Sequence, residues 1–200
     1  MDCLHYFGYG SLVNRETRPT TEPFEVATVD GWQRSWSHRV NHSGAASVPM
    51  VGESSSSAAL GFTVLNVEPA ASQQIDGVLV SISADDLPAL DKREAGYARQ
   101  SVNSVKSTDP VAMYVSKKAH VAKLPSDYPL LQSYVDCVLA GFLAVFGWHG
   151  VDRFFSTTSG WGAPILADRG APLYPRAVSL SADVESMFDE RIAAARLQPQ

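Results

Sequence analysis

Residues 7–12 read Phe-Gly-Tyr-Gly-Ser-Leu and close a short run, residues 3–9, that alternates weakly between apolar and polar side chains. Gly10-Ser11 after such a run marks a turn at the end of a first strand. Gly8 and Gly10 bracket Tyr9. A glycine lets the backbone come close to a ligand with no Cβ in the way, and successive amide N–H groups can then converge on one oxygen. The plain alternative is a tight turn that only joins two elements. Spacing alone leaves both readings open.

Outward from this turn, the first half of the chain keeps a strand period. Residues 24–29 and 32–40 read as two strands, and in the second Trp32, Arg34, Trp36, His38 and Val40 share one face. Residues 41–58 are rich in Gly, Ala and Ser and read as a loop. Residues 60–67 and 75–82 resume the strand signal. The period then changes. Residues 85–94 suit a short helix with Ser83 or Asp86 as N-cap and Pro88 in the first turn. Strands return at 97–105 and 111–115. Residues 127–146 form the clearest helix, with Leu131, Tyr134, Val135, Val138, Phe142 and Val145 as its apolar stripe, Pro129 in its first turn and Gly147 at its end. Ser181 opens a last helix whose inward side is Val184, Met187, Phe188 and Ile192. With no internal repeat and no long linker, short strands and a few helices predict one α+β domain over residues 1–200.

Hydrophobic residues make up 45% of the chain and charged residues 18%, the balance of a water-soluble globule. The net charge of −5 comes with no basic block, which argues against a nucleic-acid partner. The first residues lack a basic, apolar leader pattern, and the longest apolar stretch, residues 138–148, is short for a bilayer. No membrane partner and a cytoplasmic location are therefore expected, with Cys3 and Cys137 as two buried thiols.

A second stretch, residues 89–99 (ALDKREAGYAR), holds Glu94 at the end of the short helix. The negative end of a helix dipole raises the pKa of a carboxyl placed there. The alternative is an ordinary surface pair with Lys92, Arg93 or Arg99. Tyr97, three residues on, is the aromatic best placed to share a pocket with Glu94. Arg99 and Arg176 are either carboxylate clamps or internal salt-bridge partners. Ser11 lacks the surrounding pattern G-x-S-x-G, and His38 and His42 lack the glutamate of a zinc motif. Trp161, between Gly160 and Gly162, either covers a pocket or packs.

FGYGSL at the end of a first strand, with LDKREAGY roughly eighty residues later, resembles the gamma-glutamylcyclotransferase-like superfamily. The stretches YPLLQSYVDCVLAGF, TTSGW and LADRGAPLYPR are similar to its bacterial members, so the resemblance runs from Phe7 to Arg176. It implies a small mixed β-barrel with flanking helices. It implies that the backbone of Tyr9, Gly10, Ser11 and Leu12 holds the glutamyl end of a small-molecule substrate. It implies that Glu94 is the acid/base in a cyclisation that releases 5-oxoproline. No cofactor or metal enters that chemistry. Two rival functions use the same fold: a glutamyl-ligand binding module without turnover, and an amide hydrolase. Residues 44–57 match nothing in the family pattern.

Overall fold

The computed structural model describes residues 4–18, 23–41, 61–105, 107, 109–121 and 128–197. The loop expected over 41–58, together with Cys3 and His42, lies almost wholly outside them. In chain order the strands are β1 Leu4–Gly8, β2 Phe24–Asn41, β3 Gly61–Ile82, β4 Tyr97–Ser101, β5 Val111–Ser116, β6 Leu130–Leu131, β7 Thr158–Ser159 and β8 Ile165–Leu166. The helices are α1 Leu87–Arg93, α2 Gln132–Ser156 and α3 Ala182–Arg196. All eight strands belong to one mixed sheet of order β4-β5-β1-β3-β2-β7, with β6 joined to β3 and β8. The fold is α+β.

β1 sits centrally, antiparallel to β3 and parallel to β5. That position buries Tyr6, Phe7 and Gly8 and places the 7–12 turn at the mouth of the sheet. The two pairs of strands expected at 24–40 and 60–82 are in fact two long strands, of 18 and 22 residues. The sequence breaks are real but local. Gly31, at φ 82°, absorbs a bulge that only a residue free to adopt positive φ accepts readily, and β2 continues beyond it. Residues 70–73 stay extended with no partner in β2.

Among the described residues the sheet path has two free ends, β4 and β7, so the barrel is partial. Its curl is fastened by polar contacts. The Ser116 N–H at the end of β5 donates to Asn66 Oδ1 of β3 at 2.8 Å, and Ser116 Oγ lies 2.7 Å from His38 Nδ1 of β2. His38 also forms a β-bridge with Val121.

α1 is capped at Asp86, whose N–H donates to Ser83 Oγ at 3.1 Å, and it stops at Glu94. α2 corrects the expected start: Leu130 and Leu131 bridge β3 and β8, so Pro129 precedes a strand instead of opening the helix. The Pro129 carbonyl accepts the Thr63 N–H at 2.9 Å. The expected stripe is buried, except that Val145 is only half-buried. At Gly147 (φ 65°, ψ −169°) the helical path breaks, then resumes to Ser156. By length and composition α2 could cross a membrane, but the Gly147 break divides it and most of its first part is core. Cys137 is a free buried thiol, its pKa pushed up to about 12 by burial. In α3 the Ser181 Oγ accepts the Val184 N–H, and Phe188 and Ile192 are buried, while Val184 and Met187 are half-buried.

Candidate active site

The turn after β1 becomes a 3-10 turn, Ser11–Val13, followed by a second, Arg15–Thr17. The carbonyls of Tyr9, Gly10 and Ser11 are engaged. The Tyr9 oxygen accepts Arg34 Nε–H at 2.9 Å. The Gly10 oxygen accepts the Val13 N–H at 2.9 Å, and the Ser11 oxygen accepts the Asn14 N–H at 3.1 Å and the Thr17 hydroxyl. The N–H groups of Gly10, Ser11 and Leu12 have no acceptor among the described residues. A trans peptide points its C=O and N–H in opposite directions. Tying each carbonyl to the protein therefore leaves the next N–H facing the other side, in the manner of an anion-binding nest.

Gly10, Ser11 and Leu12 also line a small pocket with a cavity volume of about 40 Å³, well below the ~300–1,000 Å³ usual for ligand sites. Phe7, Tyr9, Gly10, Ser11 and Leu12 form one wall. Leu65 of β3, Tyr114 of β5, Tyr134 of α2, Glu94 and Tyr97 complete the lining. The structure thus brings together all six residues singled out from the sequence.

Glu94 reaches the pocket because α1 ends at it. Its N–H closes the last helical turn on Leu90 O at 2.9 Å, and its carbonyl accepts the Tyr97 N–H at 2.8 Å, reversing the chain into β4. The side chain is 16% exposed. Burial raises its pKa above the ordinary carboxyl range, against the lowering effect of Arg93 and Arg176. Arg93 Nε lies 3.1 Å from Glu94 Oε1 and pairs with it. Arg93 Nη1 donates to the Thr17 carbonyl at 2.5 Å, which ties the end of α1 to the loop segment.

The pocket tyrosines are held as neutral phenols. Tyr9 OH donates to Tyr114 O at 2.6 Å, Tyr97 OH to Leu65 O at 2.7 Å, and Tyr114 OH to Asp91 Oδ1 at 2.7 Å. Burial raises the pKa of Tyr9, Tyr97, Tyr114 and Tyr134 alike. Among the ionisable groups lining the pocket, Glu94 alone has a pKa moved toward neutrality, so it is the group suited to gain and lose a proton there.

The other sequence candidates fall elsewhere. Arg99 pairs with Asp91 at 3.5 Å. Arg176 lies over Tyr174 and donates to its hydroxyl at 3.3 Å, near enough to lower the Glu94 pKa. Trp161 is core, packed on Trp36 and Phe155. His38 is stacked between Tyr97 and His120 behind the pocket, with its pKa pushed down to about 4 by burial. No histidine faces Ser11 among those whose contacts are described. Among the described residues, no group of three His, Cys, Asp or Glu side chains could hold a metal. Leu65 and Tyr114 are not picked out from the sequence, Tyr134 reads only as a core aromatic of the helix stripe, and Arg34 only as part of a strand face.

A larger cleft of about 460 Å³ lies along the outer half of β2, lined by Glu25, Val26, Gln74 and Phe146 among others. It includes neither the turn after β1 nor Glu94.

No protein-family profile matches the chain, and no curated protein matches it. Solved structures do. A gamma-glutamyl cyclotransferase superposes with a TM-score of 0.57 at 13% identity, over 94% of this chain and 99% of that one. An uncharacterized protein from Homo sapiens gives 0.57 at 15% identity, again over 94% and 99%. YkqA from Bacillus subtilis gives 0.52 at 16% identity, over 80% of this chain and 57% of that one. The chain therefore has the gamma-glutamyl cyclotransferase-like fold.

Proposed function

We propose that the chain cleaves gamma-glutamyl amides by internal cyclisation, giving 5-oxoproline and a free amine, in the cytoplasm. The observation that carries the reading is one small pocket lined both by Gly10, Ser11 and Leu12, whose N–H groups have no acceptor among the described residues, and by Glu94, whose carboxyl pKa is raised. In this reading Glu94 takes a proton from the substrate's α-ammonium. The freed amine attacks the γ-carbonyl carbon and closes a five-membered ring. The carbonyl oxygen becomes an oxyanion facing the turn's N–H donors. The C–N bond to the leaving group then breaks as Glu94 gives its proton to the departing amine, and the freed carboxylate takes the surplus proton left on the ring nitrogen. Nucleophile and electrophile start in one molecule, so holding the folded conformer supplies much of the rate, up to ~7–11 kcal/mol in well-oriented cases. Tyr97 packs beside the glutamyl chain, and no water needs activation.

The test is a screen of gamma-glutamyl amides with detection of products. Release of 5-oxoproline, unaffected by chelators, is the expected outcome. Free glutamate in place of 5-oxoproline would mean hydrolysis on the same scaffold. Binding of a glutamyl ligand with no product would leave a binding module.

The pH profile carries the second check. Glu94 acts first as a base, so kcat/KM should fall toward acid as it protonates, with an inflection above the ~4.3 of an ordinary glutamate. An acid limb that sits at or below that value excludes Glu94 as the titrating base.

A further inference from the structure

Arg34 is fully buried at 0% exposure and does not line the pocket. Its guanidinium makes three hydrogen bonds, none to a carboxylate: to Tyr9 O at 2.9 Å, to Thr157 Oγ1 at 2.7 Å and to the Asp76 carbonyl. The Asp76 carboxylate is occupied by a bidentate pair with Arg153, at 2.7 and 2.9 Å. The faces of Phe142 and Phe154 lie 4.9 and 5.0 Å from its central carbon. Burial lowers its pKa to about 9, which leaves it protonated at neutral pH. A desolvated cation whose nearest counter-charge, Asp76, is shared with Arg153 is costly to keep in a core, and hydrophobic replacement of such groups is often neutral or stabilising. Packing alone therefore does not explain it.

The bond it makes with Tyr9 does. The Tyr9–Gly10 peptide is trans, so pulling the Tyr9 carbonyl behind the wall turns the Gly10 N–H toward the pocket. A charged donor on the carbonyl also polarises the peptide and strengthens its N–H as a donor. We propose that Arg34 is a positioning residue that aims and polarises the Gly10 N–H for the oxyanion formed at the substrate's γ-carbonyl. This rests on the cyclotransferase reading above. It adds that the charge needed by the transition state is supplied through a peptide, from a group that never meets the substrate.

The experiment compares wild type, Arg34→Lys and Arg34→Met for kcat, KM and Tm, and follows the Gly10 amide by NMR with 5-oxoproline as the probe. The lactam oxygen of that product is the atom that carried the oxyanion. Arg34→Met should lose about 10²–10³ in kcat with KM within about threefold, the scale of one lost oxyanion donor. Arg34→Lys, which keeps the charge but not the fork, should lose less. In wild type the Gly10 amide proton should move downfield on saturation with 5-oxoproline, and move less in the Lys variant. A folded Arg34→Met with wild-type kcat overturns the proposal. So does a Gly10 amide that stays still while Glu94 and Tyr97 resonances shift, a result available from wild type even if both variants fail to fold. If no pocket resonance responds and no amide yields 5-oxoproline, the cyclotransferase reading itself falls, and the role of Arg34 falls with it.

Discussion

Glu94→Gln is expected to lower the kcat for 5-oxoproline release by about 10²–10⁴, the usual worth of one positioned acid/base, while 5-oxoproline binding stays within about threefold. The amide keeps the shape of the side chain and its place at the end of α1, but it cannot exchange protons. The same substitution should raise the Tm at neutral pH. The folded pKa of Glu94 is raised by burial, so the stability it contributes is fully present below its unfolded pKa and is lost as pH rises through the folded value. At neutral pH the carboxylate is therefore a strain on the fold. Gln removes the charge, so the Tm gap between variant and wild type should close again toward acid. Arg93 loses its ion pair in the variant, but its bond to the Thr17 carbonyl remains. A Gln variant with near wild-type turnover removes Glu94 from the mechanism. An inactive variant with lower Tm at neutral pH would mean that the carboxylate matters to the fold instead.

What the sequence made legible was local. The turn at Gly10-Ser11 and the helix end at Glu94 each depend on nearest neighbours, and both stand where the pattern put them. The last helix was legible because Ser181 caps it through a bond within four residues. The failures are all places where a distant partner overrode a local signal. Pro129 looked like a helix start, but Leu130 and Leu131 are claimed by β3 and β8, an interaction that periodicity cannot register. Gly31 looked like a strand boundary, but the partner strand carries β2 across a bulge. Gly147 was read as a helix end, and the helical path does break there before continuing.

The pocket was half legible for the same reason. The turn and Glu94 announce themselves by composition. Leu65, Tyr114 and Tyr134 come from three other elements and look like any core residue. Arg34 did leave a trace. A charged residue between Trp32 and Trp36 on a strand's apolar face has no reason to be there unless something inside needs it.

Gly10→Ala and Gly10→Val are expected to harm turnover more than Ser11→Ala. Gly10 has φ −131°, outside the left-handed region, so the effect is one of space and not of backbone strain. A Cβ there would lie 3.3 Å from Leu65 Cδ1 and 3.7 Å from the Tyr134 hydroxyl, both pocket-lining side chains. Leu65 has a flexible end and can give by a few tenths of an ångström, so the Ala variant should fold. The added methyl stands beside the N–H that the oxyanion must reach. A misplacement of about 1 Å can cost about 10² in rate, and the larger Val should approach or exceed that. Ser11 is a different case. Its hydroxyl has no partner among the described residues, and no histidine is seen to activate it. Ser11→Ala should cost at most one hydrogen bond to substrate, about 0.5–1.5 kcal/mol, or roughly threefold to tenfold in kcat/KM. The measurement is kcat/KM for 5-oxoproline release in the three variants, with Tm recorded first to confirm folding. A folded Gly10→Ala of normal activity beside an inactive Ser11→Ala would reverse the argument. It would take the backbone out of the site's chemistry and make the Ser11 hydroxyl the nucleophile of a hydrolase.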